Sequence, residues 1–112
     1  MPFLAKLPDL HKGNTGVIFE GYKFGDVNLS FFYTDAEPGQ GPDLHFHPYE
    51  EVFVILDGQA TFTIDGQTTI ATSGDVLLAP AGAHHKFFNS GTSRLSTINI
   101  HPNDRVIQEM VE

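Results

Sequence analysis

Apolar and polar residues alternate along most of this chain in short bursts, with little recurrence at every third or fourth position. Val27, Leu29, Phe31 and Tyr33 share one parity, and Asn28, Ser30, Phe32 and Thr34 share the other. That period of two is what a strand with two different faces requires. Residues 15–20 read as an earlier strand. Further runs rich in Val, Ile, Phe and Thr fall at 43–47, 51–56, 60–65, 67–72, 76–80, 84–89 and 94–100. Pro38, Gly39, Gly41 and Pro42 make a loop of residues 35–42. Asp57–Gly58 and Asp65–Gly66 each sit between alternating runs and predict tight hairpin turns. The tail differs: Val106, Ile107, Met110 and Val111 form a stripe behind Asn103, which predicts a short helix over 103–111 packed outside the sheets. About nine short strands in a single domain, residues 1–112, predict an all-β sandwich or barrel.

Charge narrows the function classes. Six basic residues face fourteen acidic ones, for a net charge of −8, and no basic cluster occurs. Nucleic acid and anionic membrane surfaces are therefore not expected partners. No apolar run approaches the ~20 residues that span a bilayer. The opening residues lack the basic stretch and apolar core of a secretory leader, so a cytoplasmic location is expected. Cysteine is absent, which removes disulfides, thiolate metal sites and thiol nucleophiles.

The remaining candidate chemistry lies in histidine and glutamate. His45 and His47 are two apart on a predicted strand, so both rings leave the same face with Cα atoms about 6.5 Å apart. Parity places Glu51 with Phe53 and Ile55 on the inner face of the next strand, and turns Glu50 to solvent. A buried carboxylate needs a partner, and a cation held by His45 and His47 would provide one. On the strand over 84–89, Lys86 marks the outer face, so His85, Phe87 and Asn89 point inward and His84 outward. Three neutral imidazoles and a carboxylate suit one divalent transition metal ion: iron, manganese, nickel, copper, cobalt or zinc. His11 and His101 have no partner nearby in sequence and read as structural. Phe53 and Phe87 share parity with ligands and are the expected substrate-pocket wall.

Two segments carry a family resemblance. Gly39, His45, His47, Glu51 and Gly58 stand at the spacings of the first cupin motif, which spans residues 39–58. Gly74, Pro80, Gly82, His85 and Asn89 stand at those of the second, over 74–89. The chain thus resembles small single-domain cupins of the cupin 2 type. The resemblance implies a double-stranded β-helix (jelly-roll) barrel with a metal at its centre, held by His45, His47, Glu51 and His85. Gly58 and Gly82 would allow the tight turns around the ligand strands.

Three functions fit that resemblance. One is a metal-dependent oxygenase on a small organic substrate, with Glu51 as its catalytic base. Another is a non-redox isomerase or ketonising enzyme on a sugar-derived acid, with the metal as Lewis acid. The third is a non-catalytic module that binds a metal or small ligand. Small cupins also resemble dimers, and the apolar start (Phe3, Leu4, Leu7, Leu10) could cover a partner's edge, so a homodimer is expected.

Overall fold

Alternation resolves into two antiparallel sheets facing one another. The computed structural model describes residues 4–111. In chain order the strands are β1 (His11–Gly13), β2 (Gly16–Glu20), β3 (Ser30–Ala36), β4 (His45–Phe46), β5 (Glu51–Asp57), β6 (Gln59–Ile64), β7 (Gln67–Thr72), β8 (Val76–Ala79), β9 (His85–Asn89), β10 (Leu95–His101) and β11 (Glu109–Met110). The larger sheet runs β1-β2-β3-β10-β5-β8 and the smaller β11-β4-β9-β6-β7. This is an all-β jelly roll: the alternation predicts the all-β sandwich or barrel, and the cupin resemblance implies its jelly-roll form.

The core lies between the sheets. Ala36, Phe53, Ile55, Ala60, Phe62, Ala71, Ala79, Phe87 and Leu95 form one buried cluster. The Phe62 ring stacks on Phe87 and meets Phe53 edge-on, both at 4.9 Å between centroids. Such aromatic contacts add to the area they bury. On β3 the buried side chains are Ser30, Thr34 and Ala36, so the apolar parity of Phe31 and Tyr33 is the outer one.

That outer face of the larger sheet carries two apolar rows in register. Leu78, Val52, Ile100, Phe31 and Phe19 make one, and Val76, Val54, Ile98 and Tyr33 make the other. Leu78 and Val76 are exposed on the edge strand. In the N-terminal segment, Leu4 and Leu7 are exposed and Leu10 is buried; Phe3 lies outside the described residues.

The expected C-terminal helix is absent. Residues 103–108 are irregular, and Glu109 and Met110 pair with Phe46 and His45 as β11. Backbone groups a helix would use are spent on tertiary partners: Ile107 N–H donates to the Tyr49 hydroxyl, the Ile107 carbonyl accepts from His47, and Val111 N–H donates to the Leu44 carbonyl. The Val106 N–H, which the first turn of a helix would leave free, donates to Glu20. Asn103 bonds the Arg105 carbonyl rather than capping a helix. An apolar stripe without spare backbone hydrogen bonds cannot close helical turns.

One of the two Asp–Gly turns also differs from expectation. Asp65 and Gly66 both adopt positive φ, at 48° and 80°, and join the β6–β7 hairpin as expected. Asp57–Gly58 instead carries the chain from one sheet to the other, since β5 and β6 belong to different sheets. Gly58 has φ 93°, and a Cβ there would sit 2.6 Å from the Arg94 carbonyl oxygen. Only glycine fits that crossing.

Candidate metal centre

The two sheets bring the histidine and glutamate side chains together at one end of the sandwich. The smaller sheet supplies His45 on β4, His47 just beyond it, and His85 on β9, where His45 and His85 are register partners. The larger sheet supplies Glu51 at the start of β5. All four are buried, and one donor atom from each lies within 4.8 Å of the others. Gly82 helps fix this end, because its N–H donates to the His47 carbonyl at 2.8 Å.

Hydrogen bonding determines what the rings offer. His45 Nδ1 lies 2.6 Å from the Asp43 carbonyl, His47 Nδ1 2.8 Å from the Ile107 carbonyl, and His85 Nδ1 2.9 Å from the Ala83 carbonyl. A carbonyl oxygen only accepts, so each Nδ1 carries the proton and donates. In the neutral rings each Nε2 is then a bare lone pair. Yet His47 Nε2 and His85 Nε2 stand 2.9 and 3.0 Å from Glu51 Oε1, and a carboxylate also only accepts. The His47 contact is too poorly aligned to be a hydrogen bond, which leaves that buried nitrogen without a partner. Lone pairs facing lone pairs at this range require something positive between them, either a second proton on a ring or a metal ion. The donor set therefore fits a divalent metal.

Titration behaviour follows from the same contacts. Burial pushes the His45 imidazole down to about 4, against the Asp43 carbonyl that favours its charged form. His45 is thus neutral, as a ligand must be. Burial alone would raise Glu51, but His101 and His85 and the close approach of the His47 ring hold it well below the usual carboxylate range. Burial opposes charge on His85 as well, and there the bond to Glu51 and the Ala83 carbonyl win and raise it.

Two site residues are not legible in sequence spacing. His101 ends β10, is fully buried, and places Nε2 3.2 Å from Glu51 Oε2. Its Nδ1 lies 2.6 Å from the Tyr49 hydroxyl. The Ile107 N–H already donates to that hydroxyl oxygen at 3.1 Å. The consistent arrangement has Tyr49 O–H donating to Nδ1 and His101 Nε2–H donating to Glu51. His101 is therefore the opposite tautomer from the other three rings, and it occupies Oε2 while Oε1 faces His47 and His85. The Tyr49 phenol is pushed up to about 12, chiefly by burial, and remains protonated. The signal that points to this pair is chemical: a buried carboxylate has acceptor capacity for more donors than two.

The other expectations fare as follows. His84 and Glu50 are exposed, and His84 stacks on Phe46 away from the centre. His11 lies exposed on the edge strand β1. Phe53 and Phe87 are buried and line a cavity of about 470 Å³ that also touches His45, Glu51 and His101. Asn89 both crosses to the Ala36 carbonyl at 3.0 Å and caps its own turn through the Gly91 N–H at 2.9 Å.

Comparison with known proteins gives the family. No curated protein matches the sequence. Solved structures do match in fold. An oxalate decarboxylase from Lactobacillus farciminis, in complex with formate, is 23% identical with a TM-score of 0.79, over 90% of this chain and 32% of its own. A Bacillus subtilis oxalate decarboxylase variant is 25% identical with a TM-score of 0.79, over 89% of this chain and 29% of its own. Another structure of the Bacillus subtilis enzyme, studied for its Mn(II) centres, is 23% identical with a TM-score of 0.79, over 91% of this chain and 29% of its own. The chain spans about a third of the length of these enzymes. No helix among the described residues is long and apolar enough to cross a membrane. The sequence profile of the cupin domain matches residues 32–101, which is more than half of the chain, and the chain belongs to the cupin domain family.

Proposed function

We propose that His45, His47, Glu51 and His85 hold one divalent transition metal ion, and that the centre is a metal-dependent oxygenase acting on a small organic molecule in the adjoining cavity. One observation carries this reading: Nε2 lone pairs converge on a carboxylate oxygen while their Nδ1 protons are committed to backbone carbonyls. Four protein donors leave open positions on an ion of ordinary coordination number. When bound, the ion supplies Lewis acidity toward a substrate oxygen and, if redox-active, the electron exchange an oxygenase needs.

The protein's own groups have distinct tasks. Three anchored Nδ1–H groups hold the ligand rings at fixed angles. Phe53 and Phe87 exclude water beside the centre. Glu51 can accept a substrate proton, and the His101–Tyr49 pair behind it stabilises the carboxylate in one orientation. Manganese is a candidate ion, since a structural neighbour has Mn(II) centres.

Elemental analysis of protein purified without chelator tests the proposal, alongside Glu51→Ala. One iron, manganese, nickel, copper or cobalt ion per chain, lost in the variant, is the expected result and leads to oxygen-uptake screening. No ion after reconstitution defeats it, and zinc as the sole ion favours the non-redox reading.

A homodimer and a cytoplasmic setting belong to the same proposal. The two apolar rows on the outer face of the larger sheet support pairing with a second copy, because a sheet face can meet itself across a two-fold axis. Light scattering should give twice 12.3 kDa, falling to 12.3 kDa in Leu78→Lys. A wild-type monomer at high concentration rejects the dimer. Fractionation of source cells tests the location.

A further inference from the structure

The cavity beside the proposed metal position combines aromatic and polar side chains. Phe32 and Phe53 flank Asn99 as its register partners on the inner face of the larger sheet, and Phe87 belongs to the smaller sheet. Between the two larger-sheet rings runs a hydrogen-bonded strip on the inner faces of β10 and β3. Thr97 Oγ1 donates to Asn99 Oδ1 at 2.8 Å, and Asn99 Nδ2 donates to Thr34 Oγ1 at 3.3 Å. All three residues are buried. Burying such a strip costs desolvation and contributes little hydrophobic stabilisation. An apolar side chain such as Leu95, on the same face of β10, would serve packing better. The donations run in one direction and end at Thr34. Its hydroxyl accepts from Asn99, and its own hydrogen has no acceptor among the described residues. Thr34 and Asn99 both line the cavity.

Charge sharpens the picture. Apart from its histidines, the charged side chains on the cavity wall are Asp43 and Glu51, both acidic, and no lysine or arginine lines it. Basic groups are engaged elsewhere: Lys23 with Glu20, Arg94 with Asp35 and Arg105 with Asp104. A small dianion would meet a metal charge already offset by Glu51, with no guanidinium or ammonium to match its second carboxylate. A volume of about 470 Å³ is also generous for so small an ion.

Resting on the metal reading above, we propose that this cavity takes a neutral, flat, ring-bearing molecule that reaches the metal through its oxygens. Its ring packs among Phe32, Phe53 and Phe87, and its polar edge accepts from Thr34 and Asn99 beside them. The substrate class thus differs from that of the oxalate decarboxylases to which the fold is similar.

Zn(II)-loaded protein, which is redox-inert, allows a clean test. Catechol and oxalate both present two adjacent oxygens, but only catechol is uncharged at neutral pH and carries a ring. Calorimetric titration should show catechol binding at least tenfold more tightly than oxalate. Thr34→Val, which keeps the side-chain shape, should weaken catechol about fivefold with zinc stoichiometry unchanged. Asn99→Leu should do the same, and Thr34→Val keeps the test open if Asn99→Leu fails to fold. Oxalate binding as tightly as catechol, no catechol binding to zinc-loaded protein, or indifference of catechol to Thr34→Val would each overturn the proposal. Zinc stoichiometry, measured first and separately, reports on the metal reading itself: failure there is failure of the ligand set, not of the substrate class.

Discussion

Leu95 and His101 stand on the same face of β10, at opposite ends, and the two ends of the sandwich follow different physics. Around Leu95 the interior is hydrocarbon: Ala36, Ile55, Ala60, Phe62 and Ala71 are nearly fully buried. Stability there scales with apolar area and tolerates many arrangements of similar volume. Around His101 the interior is polar: His45, His47, Glu51 and His85 are as deeply buried, yet each depends on a particular donor or acceptor. Removing one partner there strands another, which costs more than the lost bond itself. One end holds the sheets together, and the other uses that rigidity to hold a geometry.

The comparison breaks most sharply at His47. His47→Ala should reduce bound metal from one ion per chain to less than about a tenth, because it deletes a donor and leaves Glu51 facing fewer partners. His84→Ala, on the exposed face, should leave metal content unchanged. Elemental analysis of both variants checks the pair, and the reverse pattern would invert the assignment of faces.

At the hydrocarbon end, Phe62→Ala should cost about 3–5 kcal/mol in a denaturant titration. The folded fraction should still take up metal. Parallel loss of metal by that fraction would mean the two ends are not separable.

Acid should act selectively on the polar end. His45 has a folded value of about 4 against 6.5 for the free side chain. Between those values the unfolded chain binds the proton and the folded one does not, so stability falls as pH drops from 6.5 toward 4. Glu51, held low by its histidines, adds stability above the ordinary carboxylate value and loses it on further acidification. Protonation also competes with metal at every ring, so the ion should leave below about pH 5. Full retention of metal after dialysis at that pH would contradict a site built on three imidazoles.

The gentlest perturbation is Tyr49→Phe. It removes the hydroxyl that fixes the His101 tautomer and should weaken metal binding about tenfold with little change in melting temperature. An unchanged affinity would reduce the Tyr49–His101 pair to packing.

Most of the sheet framework and four of the site residues were legible because parity is a local property. His45 and His47, Glu51 with Phe53, and His85 with Phe87 need only the period of a strand and one polar marker such as Lys86. The C-terminal stripe misleads because helical periodicity ignores where backbone groups go: Ile107 gives both of its groups to Tyr49 and His47, and Val111 gives its N–H to Leu44. The difference between the two Asp–Gly turns was hidden because a turn's chemistry does not state whether the next strand stays in the same sheet. His101 escaped because its partner is fifty positions away in sequence, and only the β5–β10 register brings them together.

The Ile107 carbonyl orients a ring that lies 60 residues earlier in the sequence. Synthesis is vectorial, so His45 and His47 emerge from the ribosome well before the group that fixes the His47 tautomer. A nascent chain halted before residue 105 should capture metal weakly or indiscriminately, and extension past residue 111 should confer selectivity. Ribosome-stalled chains of the two lengths, exposed to competing metal ions, would show whether the choice of ion is made during translation or only once the later residues have docked.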